Sequence, residues 1–224
     1  MNQVIGELLP SALGVALSPI PIIAVILMLG TPNARSSGSA FGVGWMVGLL
    51  LVSVVVLALT GDADDSDSAT STASSVVKIL FGLMFFALAV KQWRSRPKPG
   101  DEPKLPPWMA SLNTFGVGKC FAFGALLSGV NPKNLALTFS AAATIAEAGL
   151  SSGESAVAVG VYVVIGSVSV AGPVLAFLVL GDRAVTPLAS VKQFMSDNIA
   201  VIMIVLFVIL GAKILGEGYA GLTD

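Results

Sequence analysis

Six long apolar runs, separated by proline, glycine and charge, dominate the chain: Val4–Leu29, Phe41–Leu59, Val76–Val90, Phe115–Ala143, Ala156–Leu180 and Ile199–Leu215. A helix needs about 20 apolar residues to cross a hydrocarbon layer about 30 Å thick. Six such spans take roughly 120 residues of the 224, which leaves loops and caps and no room for a large soluble domain. The expected fold is therefore an all-α integral membrane protein of six transmembrane helices. Composition agrees, with 55% hydrophobic residues and 11% charged against about 25% charged in soluble domains. The third run is short and is expected to take in part of Ser74–Trp93. The first carries Glu7 and Pro10, lacks a basic leader and shows no small-residue cleavage site, so it is expected to stay rather than be removed as a signal peptide.

The chain holds no histidine and one cysteine, Cys120. That removes the commonest neutral-pH acid/base and metal ligand, and with it disulfides, CxxC redox pairs and cysteine-rich metal sites. No nucleophile–base pair is visible, so neither an enzyme, a catalytic residue, a cofactor nor a metal is expected. A net charge of −1 gives no case for a nucleic-acid partner. The acidic stretch with Asp62, Asp64, Asp65 and Asp67 lacks the glycine and terminal glutamate of an EF-hand and reads as a solvated loop.

Counting basic residues orients the bundle. The loops after the first, third and fifth runs hold Arg35, Lys91, Arg94, Arg96, Lys98, Lys104, Lys119, Arg183 and Lys192, whereas the opposite side holds Lys78 and Lys213. This positive-inside bias predicts a multi-pass protein of the cell (inner, plasma) membrane with both termini extracytoplasmic. The proline-rich, charged segment Arg94 to Trp108 is the main cytoplasmic loop and is expected to be extended. It divides the chain into a first three-helix repeat (1–93), the loop (94–114) and a second three-helix repeat (115–224). Three spans per half make the halves enter the membrane in opposite directions, an inverted repeat.

Two runs break their own helices. Ser18-Pro19-Ile20-Pro21 interrupts the first and Asn131-Pro132-Lys133-Asn134 the fourth. At a rise of about 1.5 Å per residue, both breaks fall near or a little past the middle of the membrane core. Proline removes a backbone donor and clashes with the preceding turn. The carbonyls it frees need protein or water partners, because lipid offers none. Broken helices at matching positions of two halves point to a transporter binding site. Lys133 is the basic residue set deep in a span, where a cation costs about 2.5–3.5 kcal/mol on insertion scales. Its plainer role is pairing to a carbonyl or a lipid headgroup.

Small polar residues lead to these breaks at helical spacing: Glu7, Ser11, Gly14 and Ser18; Asn131, Asn134 and Thr138; Tyr162, Gly166, Ser169 and Pro173. They form one candidate cavity lining, although such residues also serve kinks and helix contacts. Gly44 and Gly48 have the spacing of a helix contact, Cys120 reads as an ordinary small buried residue, and Glu7 as a snorkelling or weakly coupling carboxylate. Trp45, Trp93 and Trp108 are placed as interfacial anchors.

Asn131-Pro132-Lys133 resembles the NPK signature in the fourth span of the LysE superfamily of small six-span exporters, and Ser18-Pro19-Ile20-Pro21 stands where that superfamily carries a first-span proline motif, usually PGP. Over nearly all its length the chain is most similar to the GAP or Sap group, the glycopeptidolipid- and sulfolipid-addressing proteins of actinobacteria. The resemblance rests on LLPSALGVALSPIPIIAVILML, TPNARSSGSAFGVGWMVGLLLV, the charged central loop and LSGVNPKNLAL. It implies an exporter or addressing protein for cell-envelope glycolipids. Ile20 replaces the motif's glycine, which counts against the amino-acid substrates of the better-known branch, and the lone cysteine departs from the thiol-redox branch.

On this reading Lys133 offers charge to a headgroup, Asn131 and Asn134 offer hydrogen bonds, and Pro132, Ser18, Pro19, Pro21, Ser11, Thr138, Tyr162 and Ser169 complete the site. Rocking of the two halves then alternates access. The alternatives are a LysE-type exporter of a small amino acid or ion, and a non-transporting scaffold of a larger lipid-export machinery. A lateral apolar slot favours lipid, whereas an enclosed pocket favours a small solute. Expected partners are the bilayer, a glycolipid and, through the glycine-rich faces, a second copy in a homodimer.

Overall fold

The computed structural model describes residues 1–61, 68–96 and 107–223. Among these the ordered elements are all helical: α1 (Asn2–Ala16), α2 (Pro19–Leu29), α3 (Ala34–Gly61), α4 (Ser68–Arg94), α5 (Val117–Gly129), α6 (Pro132–Glu147), α7 (Ser152–Leu180) and α8 (Val185–Thr223), with 3-10 turns at Pro107–Thr114 and Gly181–Ala184. Ala34–Leu59, Thr72–Arg94 and the stretch Ser152–Thr223 are long and apolar enough to cross a membrane. Counted together, α1 and α2 make a fourth candidate span, bent by 54°.

Helix ends follow from local sequence. Pro19 and Pro132 occupy the first turns of α2 and α6, where a missing N–H costs nothing. Ser151 and Glu154 form a reciprocal capping box at the start of α7. Gly181 closes α7 at φ +58°, a left-handed backbone conformation that glycine adopts without penalty.

Packing interleaves the two halves of the chain. α3 lies along α5, α4 along α8, and α1 against α6 and α7. The α3–α5 seam depends on glycine: a Cβ on Gly44 would run into the Phe121 carbonyl, and one on Gly124 into the Phe41 carbonyl. The predicted Gly44–Gly48 contact is thus a backbone-to-backbone seam. On the other side, Phe85 of α4 stacks on Phe207 of α8 with ring centroids 5.8 Å apart.

Several expectations need correction. The sixth run, predicted as Ile199–Leu215, is the middle of a 39-residue helix, because Lys192, Gln193 and Asp197 continue the helix instead of ending it. The predicted loop after the fifth run shrinks to the turn Gly181–Ala184. Of the central segment Arg94 to Trp108, Arg94 ends α4 and Pro107 and Trp108 begin a 3-10 helix that runs to Thr114, so its two ends are helical rather than extended. Residues 97–106 and the acidic residues Asp62, Asp64, Asp65 and Asp67 lie outside the described residues. Trp45 is no interfacial anchor: it is fully buried, and its indole N–H donates to the Gly166 carbonyl at 3.3 Å. Trp93 is exposed, with the Arg96 guanidinium 3.8 Å over its ring. The side chain of Trp108 is outside the described set.

Candidate functional site

The first break is completed by borrowed side chains. The Val15 carbonyl would meet the nitrogen of Pro19, which has no hydrogen; the Ser18 hydroxyl donates to it instead, at 2.6 Å. The Ala16 carbonyl receives the Ser18 N–H at 2.8 Å and the Ser169 hydroxyl of α7. The Gly14 carbonyl receives the ammonium of Lys133 from α6. The end of α1 carries the negative pole of the helix dipole, which favours a cation there. Among the described residues Lys133, 2% exposed, forms no ion pair.

The second break follows the same logic. Asn131 caps α6, its side-chain oxygen accepting the Lys133 N–H at 3.0 Å. Asn134 reaches back and donates to the Leu127 carbonyl of α5 at 3.3 Å. Its own Oδ1 is buried without a partner, as are the hydroxyls of Ser11 and Ser167. Each such orphan costs about 1–3 kcal/mol. Thr138 and Tyr162 share a 2.9 Å hydrogen bond between α6 and α7.

The predicted residues therefore divide. Ser11, Ser18, Pro19, Pro21, Lys133, Asn134, Thr138 and Tyr162 are buried, with Asn131 and Ser169 partly so, and of these Ser18, Lys133 and Ser169 bond to carbonyls at the end of α1. Pro132 is exposed. Glu7 is also exposed, accepting from Gln3 at 3.0 Å, and is not in contact with the break. Cys120 is buried. Glu147 is the last residue of α6, and Glu154 belongs to the first turn of α7.

One cavity opens at the break, and two others lie away from it, at the opposite ends of α1 and α2. A slot of about 350 Å³ opens beside Leu17, lined by Phe194, Met195, Val201, Ile202 and neighbouring residues of α8, all apolar. A vestibule of about 740 Å³ lies at the N-terminal end of α1 and holds Glu7, Lys78, Glu147, Lys213 and Glu217. A third, of about 300 Å³, sits at the far end of α2 between Gly30, Phe177 and Lys192.

The vestibule is what the sequence reading missed. Lys78 of α4 donates to both carboxylate oxygens of Glu147, at 2.8 and 3.1 Å. Lys213 pairs with Glu217 on α8, and Ser140 of α6 donates to Glu217 at 2.9 Å. The i,i+4 spacing of Lys213 and Glu217 inside an apolar run was the available signal. Among the described residues no group of three or more His, Cys, Asp or Glu side chains is placed to hold a metal ion.

Neither a curated protein nor a solved structure matches the chain. A model of one family, described as Sap, sulfolipid-1-addressing protein, matches residues 8–220, a stretch that takes in both breaks, the slot and the cavity at the far end of α2, and the vestibule without Met1, Gln3, Val4, Glu7 and Gly221. The chain belongs to the Sap, sulfolipid-1-addressing protein, family.

Proposed function

We propose that this protein exports or addresses a cell-envelope lipid, with the two helix breaks as the place where the headgroup passes. The supporting observation is the apolar slot at Leu17. It opens at the break itself and offers no polar lining, which suits an acyl chain that stays in the hydrocarbon while its headgroup crosses. At the break itself Lys133 and Asn134 are 2% and 0% exposed, so neither side chain is open there to a small solute. The family's printed description, sulfolipid-addressing, points the same way.

In this reading α1–α2, α3, α4, α5–α6, α7 and α8 are six spans arranged as two inverted three-helix repeats, as in the LysE superfamily. The protein sits in the plasma membrane with both termini outside. It is a carrier rather than an enzyme, working as a homodimer or with larger export machinery. The described conformation is occluded: Lys133 is held by the Gly14 carbonyl, and opening releases it towards a headgroup as α1 and α6 separate.

Liposome reconstitution tests this. Wild type should move a fluorescent glycolipid between leaflets and leave amino acids untouched, and Lys133→Met, checked for helicity, should lose that movement. Equal movement by both proteins, or amino-acid flux alone, would overturn the reading.

A further inference from the structure

The break-site reading leaves unused the cavity of about 300 Å³ at the far end of α2. Three helices build it. Ile26 and Leu29 of α2, Phe177 of α7 and Leu188 of α8 line its wall and are buried, whereas Gly30, Val185 and Ala189 are exposed at its rim. The volume stands at the lower limit of small-molecule sites, about 300 Å³, which suits one part of a ligand rather than a whole lipid.

Among the described residues one charged side chain lines this wall, Lys192 of α8. It is half-buried, and among the described residues its ammonium enters no hydrogen bond or ion pair. The Leu27 and Met28 carbonyls at the end of α2 are bonded within their own turn instead, to the Gly30 N–H at 3.1 Å and to the Thr31 N–H and hydroxyl at 3.2 and 2.8 Å. Nor does an acid on the neighbouring turns neutralise the lysine. Asp182 is exposed and lies outside the wall, and Asp197 accepts from Gln193 at 2.8 Å. A cation without a partner selects an anion, and a floor of aliphatic and aromatic side chains favours an anion that carries a tail.

α8 gives the tail its direction. Met195, Ile199, Ile202 and Leu206 follow Lys192 at steps of three, four, three and four, so they share its face of the helix, and all are apolar. Met195, Ile202 and Leu206 line the slot at Leu17, and Met195 stands about 4.5 Å beyond Lys192 along the axis.

We propose that this cavity is the loading site for a lipid with an acidic headgroup, a sulfate or phosphate ester, which sits on the Lys192 ammonium while its tail turns along α8 towards the slot. The proposal rests on the lipid-addressing reading above, whose topology puts this end of the molecule on the cytoplasmic side, and it adds the charge of the headgroup and the place where the lipid enters.

Photolabelling of the full chain in phosphatidylcholine nanodiscs tests it. The probe is phosphatidic acid with a diazirine near the start of one acyl chain. Mass spectrometry reads labelling of residues 26–30 and 185–192 relative to the exposed Val43 and Met46 of α3. This ratio should exceed that of a matching phosphatidylcholine probe about fivefold. Lys192→Gln should remove the excess and Lys192→Arg should keep it. Ala189→Trp, which fills the cavity from its exposed rim, should remove it as well. Equal ratios for the two probes would overturn the acidic-headgroup assignment, and a wild-type ratio in either Lys192→Gln or Ala189→Trp would overturn the site. Loss of the excess on adding inorganic sulfate or phosphate at the probe's own concentration would identify a free anion as the ligand and overturn the lipid assignment. A protein that moves glycolipid yet shows no excess sinks this proposal alone. Excess labelling in a protein that moves none supports it and sinks the transport reading instead.

Discussion

Lys133 and Gly14, 119 residues apart in the chain, are joined by a hydrogen bond from the lysine ammonium to the glycine carbonyl, inside the protein. The bond links the first turn of α6 to the last turn of α1 and satisfies a carbonyl exposed by the Ser18-Pro19 break. Removing the donor leaves that carbonyl buried and unpaired, at a cost of about 1–3 kcal/mol. Lys133→Met should therefore lower the unfolding midpoint of the detergent-solubilised protein. Lys133→Arg, which keeps a donor and a charge, should recover part of the loss. A melting temperature unchanged by Met would show that the bond contributes nothing.

Ser169→Ala should destabilise by about 1 kcal/mol, because the Ala16 carbonyl keeps the Ser18 N–H as a second donor. Combining it with Lys133→Met should cost more than the sum of the two, since both substitutions uncap the same turn. Strict additivity in a double-mutant cycle would refute the shared cap.

Gly44→Leu should separate α3 from α5. The glycine faces the Phe121 backbone, and backbone atoms cannot yield as a flexible side chain can. A loss beyond the usual 1–3 kcal/mol of overpacking is expected, read as failure to purify in folded form. Gly160→Leu, at a position where a Cβ meets nothing within 4 Å, should fold as wild type and serves as the control.

In single-tryptophan variants Trp45 should emit at short wavelength and resist iodide, whereas Trp93 should be quenched. The first is fully buried and the second 56% exposed. Trp45→Phe should cost about 1 kcal/mol for the lost bond to Gly166. Equal quenching of the two tryptophans would contradict the burial of Trp45.

How much of this was legible in the sequence depends on the range of each interaction. Both breaks were readable because a proline acts on its own backbone, and Lys133 stood out because charge is scarce in apolar runs. Its partner was not readable: nothing local marks the Gly14 carbonyl as the acceptor for a side chain on a distant helix. Trp45 was misplaced for a related reason, since position near the end of a run suggests an interface until the fold supplies Gly166. The sixth run was cut short because Lys192 and Asp197 resemble loop residues, although charged residues are ordinary helix formers where water or headgroups receive them. Lys78 was counted as a loop residue because its pairing with Glu147 joins α4 to α6 across the packed bundle, which nothing local marks.

The length of α8 has a mechanical consequence. Lys192 near its start lines the cavity beside Gly30, and Glu217 near its end lines the vestibule, so one unbroken rod touches both ends of the molecule. At about 1.5 Å per residue its 39 residues measure about 58 Å. A tilt of about 10° around the midpoint therefore carries each tip about 5 Å in opposite directions. Any such swing would reach both cavities at once, and α4, packed along the rod, would be drawn with it.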